Sequence, residues 1–372
     1  MSELAWPIAF MLFIVFGEAL VLQFTGRQRV NWHDVVFNLN SGHMMLWLFR
    51  GLEITCYGYV ASHFSLGLLD SWPNAAVWIF TLFLWDLGFY WLHRLHHEWP
   101  LLWAVHLIHH QGQYYNLSLG VRNSWYSSLT SIPFFMLLAL FGVPLPVFIG
   151  ISILHYTVQF YNHNNLVPRI KWLEWFMVTP ALHRIHHVNE PRYCNSNYGG
   201  SFSFWDRLFG SLEPELPATP FTYGVGREKP SENPFWASNL PFFRRFSLPF
   251  GRSMPAVRYH SGKLAICSGA ILLFGLVIAY VDRYGYGYDA ISVAQMTLFV
   301  LLVGGAVALG GISEGQGWAV PAWLAVTFAI PLLYLVGLHW FAGHWPWLMP
   351  LLALHGMALA FGIGRQPATA GA

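Results

Sequence analysis

The side chains whose types and spacing point to chemistry are histidines. Eighteen occur in 372 residues, and nine fall in three short clusters: His93-Arg94-Leu95-His96-His97, His106-Leu107-Ile108-His109-His110 and His183-Arg184-Ile185-His186-His187. On a helix, residues three and four apart share a face. His93 with His97, His106 with His109 and His110, and His183 with His186 and His187 are therefore each expected to converge on one point. Neutral imidazole is the commonest protein metal ligand. The seven or eight rings on these faces exceed the about four ligands of a tetrahedral zinc site and the six of an octahedral ion. Two metal ions are expected. Imidazole suits iron, zinc, copper and nickel alike, so the ligand type does not name the metal.

The other histidines read differently. His96 points about 100° away from His97 on a helix, which favours a role other than ligation. His163, one turn after Gln159, is read either as a further ligand or as a group that orients one. His155 lies within an apolar stretch and leaves both readings open. His33, His43, His63, His260, His339, His344 and His355 stand alone, several beside tryptophans, and are read as interfacial or hydrogen-bonded side chains.

What must hold these clusters is a set of membrane helices. The chain is 55% hydrophobic, 18% aromatic and only 10% charged, against about 25% charged in a soluble globular chain. A net charge of +2 is too small and too spread out to suggest a nucleic-acid partner. Cys56, Cys194 and Cys267 share no spacing that would make a disulfide framework or a thiolate zinc motif. Apolar stretches near the 20 or so residues needed to cross a bilayer run from Leu4 to Phe24, His43 to Ala61 and Ala75 to Leu92. The first lacks the basic start and cleavage site of a signal peptide and is expected to stay as a span. Arg50 and Glu53, three apart, are expected to pair. Leu129 to Phe160 is broken by Gly142-Val143-Pro144-Leu145-Pro146 and is expected to form a helical hairpin. Four further spans are expected at Leu264 to Val281, Ile291 to Gly311, Trp318 to Leu338 and Trp345 to Ile363. Between them, Glu314 and Asp289 read as loop residues.

The fold expected is all-α: a polytopic membrane helical protein with a cytoplasmic histidine-rich helical cap holding a dinuclear metal site. Its linear division is 1–74 as N-terminal spans, 75–215 as the metal domain, 216–263 as a proline-rich linker and 264–372 as a four-span bundle. Twelve of the nineteen lysines and arginines lie between Arg169 and Lys263, so the positive-inside rule places that segment, and the histidines with it, on the cytoplasmic side. A bacterial inner membrane and the endoplasmic reticulum both fit, and no KDEL-type signal ends the chain.

These motifs resemble the fatty acid hydroxylase/sterol desaturase superfamily of membrane di-iron enzymes, whose HxxxH, HxxHH and HxxHH signature is met by His93-His97, His106-His109-His110 and His183-His186-His187. Within it the alkylglycerol monooxygenases are most similar, through Trp91-Leu92-His93-Arg94, His97-Glu98, Tyr115-Asn116-Leu117-Ser118, Asn197-Tyr198-Gly199-Gly200 and Trp205-Asp206-Arg207-Leu208-Phe209-Gly210. The resemblance covers about Ala75 to Glu213. It implies two iron ions, O2 as oxidant, a membrane lipid as substrate, tetrahydrobiopterin as reductant and Glu98 as a residue needed for activity. Asn116, Arg122, Tyr198 and Asp206 lie near the motifs, where contact with a substrate headgroup, support of the ligands, helix capping and ordinary salt bridges are all open readings.

Rival functions fit the pattern less well. Transporter sites lie at the bilayer midplane on broken helices, whereas these clusters lie at a span end and in a polar segment. A zinc hydrolase would use three ligands and an acidic base, as in HExxH, which is absent from the sequence. A metal-binding protein without catalysis is the third alternative. Within the enzyme class, hydroxylation, desaturation and sterol oxidation are all open readings, because the same metal core serves all of them. The C-terminal spans carry no readable chemistry; a wall of the substrate cavity, an anchor and a homodimer contact are the roles open to them.

Overall fold

The computed structural model describes residues 5–226, 230–251, 256–285, 292–341 and 345–368. Helices α1 (Ala5–Phe24), α2 (Trp32–Asn40) and α3 (His43–Phe64) open the chain. The Asn31 side chain accepts the amides of His33 and Asp34 and so starts α2. Then come α4 (Asn74–Glu98) and α5 (Pro100–His110), which pack on one another. Pro100 causes the break between them. It holds Trp99 extended, at φ −99° and ψ 122°, because a residue before proline is barred from helical backbone. The turn brings the second histidine cluster back beside the first.

The expected hairpin is present as α6 (Ser127–Phe141) and α7 (Leu145–Asn162). Gly142 closes α6 at φ 96°, a left-handed conformation that glycine adopts without strain, and Pro144 precedes α7. Short helices α8 (Pro180–His186), α9 (Pro191–Cys194) and α10 (Phe204–Leu208) occupy the polar segment. Thr179 caps α8 by accepting the Leu182 amide. The remainder is α11 (Pro234–Arg245), α12 (Lys263–Tyr284), α13 (Val293–Ser313), α14 (Ala319–Leu333) and α15 (Leu348–Ala360). One antiparallel pair, β1 (Tyr259–Ser261) with β2 (Arg365–Pro367), interrupts the helical architecture.

Among the described residues, five helices are long and apolar enough to cross a membrane: Trp6–Phe24, Asn74–Glu98, Lys263–Tyr284, Val293–Ser313 and Ala319–Leu338. This is a multi-pass membrane protein. α3 has the length but is too polar to join that set. The expected fourth C-terminal span is shorter, since its helical part is Trp345–Ala360. α4 also runs farther than expected and carries the first histidine cluster inside its last turns.

Contacts divide the chain into two compact units: 1–48, 122–125 and 229–372 in the first, 49–121 and 126–228 in the second. This grouping differs from the linear division. In the first unit α1 and α2 both pack on α12, so the start of the chain shares a core with its end, and the 216–263 stretch contributes α11 and β1 rather than a bare linker. Its core includes Ile266, Leu273, Leu298, Leu309 and Trp323. In the second unit α4 packs on α5, α6 and α7, around Tyr57, Trp85, Phe135 and Phe148.

The buried acidic residues within the apolar helices of the second unit are paired, as burial in lipid or protein favours. Arg50 pairs with Glu53, as its spacing suggested, and also reaches Ser152, while Ser131 donates to Glu53. Asp86 accepts the amides of Ser201 and Phe202 and the Trp205 indole N–H, and lies 3.1 Å from His155 Nδ1. It thereby ties α4 to the loop that follows α9.

Candidate metal centre

Nine imidazoles form two groups, each able to hold a metal ion by geometry: His93, His97, His106, His110 and His186 in one, His109, His163, His183 and His187 in the other. Within each group the ligand atoms lie within 4.8 Å of one another. Every histidine read from sequence as a ligand is in one of the two, and His163 belongs to the second. The expectation that each cluster converges on a single point is corrected. His106 and His110 go to the first group and His109 to the second; His183 and His187 go to the second and His186 to the first. Four residues turn a helix about 400°, three only about 300°, so the i,i+4 pair shares a target and the residue between them faces about 60° to one side.

Backbone carbonyls decide which nitrogen each ring presents. A carbonyl only accepts, so His93 donates Nδ1–H to Tyr198 O (2.9 Å), His163 to Gln159 O (2.8 Å) and His186 to Ser196 O (2.6 Å). Their Nε2 atoms are left with lone pairs. His163 Nε2 lies 3.2 Å from His109 Nε2, 3.2 Å from His187 Nε2 and 3.0 Å from His183 Nε2. His93 Nε2 lies 3.1 Å from His106 Nε2. One ring hydrogen cannot satisfy four converging nitrogens, whereas a cation at their centre can. Metal–nitrogen bonds of about 2.0–2.1 Å put neighbouring ligand nitrogens about 3.0–3.4 Å apart, which these separations match. In the first group the buried Nε2 atoms of His97, His110 and His186 have no protein partner. The residues present fit two metal ions.

Electrostatics act the same way. Burial, reinforced by mutual repulsion among the rings, holds His106, His110, His183, His186 and His187 well below the ordinary histidine value. Burial lowers His163 to about 4 against the opposing carbonyl hydrogen bond. All six rings are thus neutral near pH 7, the form that binds metal.

The remaining sequence candidates have separate places. His96 donates to or accepts from Thr130 Oγ1 at 2.9 Å and stacks on His106, outside both groups. His155 is held by Asp86. Glu98 is partly exposed and paired with Arg94 at 2.7 Å; it belongs to neither group. The Asn116 side chain accepts from Ser118 N–H and O–H, a local turn. Tyr198 supplies the carbonyl for His93, and its ring centroid is 5.4 Å from that of His97. Asp206 accepts the amides of Tyr198 and Gly199 and the Ser211 hydroxyl. Arg122 is fully buried in the first unit, on Asp34 (3.1 Å) and Asn38 (2.8 Å). Among isolated histidines, His33 bonds Ser313, His63 stacks on Tyr59 and His355 accepts the Trp323 indole N–H. Glu314 ends α13 and accepts from Ser231 and Glu232. His344 and Asp289 lie outside the described residues.

Sequence reading missed Cys194, whose sulfur lies 3.9 Å from His97 Nδ1 and 3.7 Å from His110 Nδ1. A lone cysteine with no partner spacing gives no signal. It lines a cleft of about 270 Å³ together with His97, Trp103, Asn189, Glu190 and Asn195. The orienting carbonyls were equally invisible, because every residue has one.

Residues 78–211 match the family model described as fatty acid hydroxylase, and all nine clustered imidazoles lie inside them. This stretch of a multi-pass membrane protein is thus similar to fatty acid hydroxylase domains. It is 33% identical over 202 residues to alkylglycerol monooxygenase of Xenopus tropicalis, covering 51% of this chain and 45% of that one. The Homo sapiens alkylglycerol monooxygenase is 33% identical over 215 residues, 54% of this chain and 47% of that one. An ornithine lipid hydroxylase of Rhizobium tropici is 32% identical over 162 residues, 42% and 47% of the two chains. The matched stretch spans about half the length of these relatives. No solved structure matches the chain.

Proposed function

We propose that the protein is a membrane di-iron monooxygenase that hydroxylates a C–H bond of a lipid, with its active site on the cytoplasmic face. The observation that carries this reading is the convergence of nine imidazoles into a group of five and a group of four, within the segment that matches fatty acid hydroxylases. Two irons bound there would supply oxygen activation and C–H oxidation. The overall balance is one lipid C–H, one O2, two electrons and two protons giving the alcohol and water. The similarity to alkylglycerol monooxygenases favours a carbon beside an ether oxygen. Hydroxylation there gives a hemiacetal that separates into an aldehyde and the glycerol alcohol. Tetrahydrobiopterin is the electron donor in this reading.

The chain's own residues hold and orient. Tyr198, Ser196 and Gln159 carbonyls fix the tautomers of His93, His186 and His163, which keeps their Nε2 lone pairs aimed inward. The buried setting of both groups limits water around the oxidant. Glu98, one residue after His97, is needed for turnover in this reading, and Glu98→Gln is expected to lower it while metal content stays unchanged.

The test is metal analysis of the detergent-purified protein, with oxygen-dependent aldehyde formation from an alkylglycerol and tetrahydrobiopterin. About two irons per chain, reduced with loss of turnover in His109→Ala, supports the proposal. A single zinc insensitive to that substitution overturns it. Metal without turnover of any lipid would return the protein to a binding or transport role. The similarity to an ornithine lipid hydroxylase favours one second reading, hydroxylation of an acyl chain with another donor. Product from such a lipid, and none from alkylglycerol, would select it.

A further inference from the structure

Four rings of the five-histidine group have their second nitrogen held by one short stretch of chain. Tyr198 O takes His93 Nδ1, Ser196 O takes His186 Nδ1, and Cys194 Sγ lies 3.9 Å from His97 Nδ1 and 3.7 Å from His110 Nδ1. We propose that Cys194 is a positioning residue for this group, its sulfur accepting the Nδ1–H of His97 and of His110 at once, so that both rings present Nε2 to the metal. The inference rests on the metal-binding reading above.

Three observations support it. The Nε2 atoms of His97 and His110 are buried and without a protein partner, so Nδ1 is the engaged nitrogen in both rings. Cys194 belongs to neither metal group; its sulfur meets the Nδ1 side of the His97 and His110 rings. Finally, the stretch itself is anchored. Asn197, in left-handed backbone at φ 53°, donates to Leu182 O and Glu213 O and accepts the Glu213 amide. Acceptors at 194, 196 and 198 are thus presented from a fixed support.

The experiment uses the full-length protein loaded with cobalt(II), whose visible bands report geometry at each site, and chelator competition for affinity. Cys194→Val keeps bulk and removes the acceptor. It is expected to weaken one of two cobalt ions by about 10–100-fold and to shift that ion's bands, leaving the other ion unchanged. Cys194→Ser, which restores an acceptor with shorter reach, should recover part of both. Should the valine variant not fold, Cys194→Ala carries the same expectation. Two cobalt ions held with unchanged affinity and bands in the acceptor-free variant overturn the inference while leaving the metal reading intact. A wild-type thiolate-to-cobalt band that the substitution abolishes overturns it too, by making Cys194 a ligand. A wild-type protein that binds no metal sinks both readings.

Discussion

At the residue scale, the histidines divide by angle rather than by cluster. His109 and His110 are neighbours in the chain, yet the first faces His163, His183 and His187 and the second faces His93, His97, His106 and His186. His109→Ala and His110→Ala are therefore expected to empty different sites, each lowering bound metal from about two per chain to about one. In the cobalt-loaded protein the two variants should lose different bands; identical losses would refute the partition. The clustered histidines were legible as candidate ligands, because histidines four apart on a helix announce a shared target. The partition was not. It depends on how α4, α5 and α8 are rotated against each other, and His163 enters from α7 with no repeating motif to mark it.

At the scale of elements, the centre depends on loops clamped by buried carboxylates. Asp86 on α4 and Asp206 on α10 between them bind the backbone amides of Tyr198, Gly199, Ser201 and Phe202. The loop must also pass close to α4 and α7. A Cβ at Gly200 would lie 2.2 Å from His155 Cε1 and 2.8 Å from Phe89 Cδ1, so Gly200→Ala must push the loop outward. A cost of about 1–3 kcal/mol is expected, with loss of metal first from the five-histidine group that Tyr198 and Ser196 orient. Equal loss from both groups in metal analysis would contradict that route.

Asp206 adds a pH dependence to the same loop. Burial raises its carboxyl to about 6 from an ordinary 3.8, against hydrogen bonds from Ser211, Gly199 and Tyr198 that lower it. The folded protein then binds this proton more tightly than the unfolded chain does. Its contribution to stability is complete below about pH 4 and is lost as pH rises through about 6. Asp206→Asn should remove this slope, so the variant and wild-type thermal midpoints in detergent should draw closer as pH goes from 4 to 7. A difference that is constant over that range would show that Asp206 keeps an ordinary value. Helix breaks were readable at Pro100 and at Gly142 with Pro144, since these residues act through local backbone sterics. Span lengths in the C-terminal part were less so. An apolar run such as Trp345 to Ile363 does not show where its helix begins.

For the whole molecule, the division into units separates chemistry from scaffold. Both histidine groups, and the family match apart from residues 122–125, lie in the second unit, and the first joins the chain's N-terminal helices to its last four. Local patterns could not reveal that grouping, because α2 meets α12 across more than two hundred residues of sequence. Arg122 shows the consequence. By sequence it sits just past the Tyr115-Asn116-Leu117-Ser118 stretch, where a headgroup contact and an ordinary salt bridge were both open; it belongs to the first unit, buried on Asp34 and Asn38 with its guanidinium 4.3 Å over the Phe37 ring. Arg122→Met leaves the Asp34 carboxylate buried beside an apolar side chain, an arrangement that costs roughly 3–5 kcal/mol. The expected result is a clearly lower thermal midpoint in detergent, with metal content per folded chain and lipid KM unchanged. Adding Asp34→Asn should recover much of the loss, since the orphaned charge is then gone. A raised KM with an unchanged midpoint would instead make Arg122 a substrate contact, and the structural account of it would have to be abandoned.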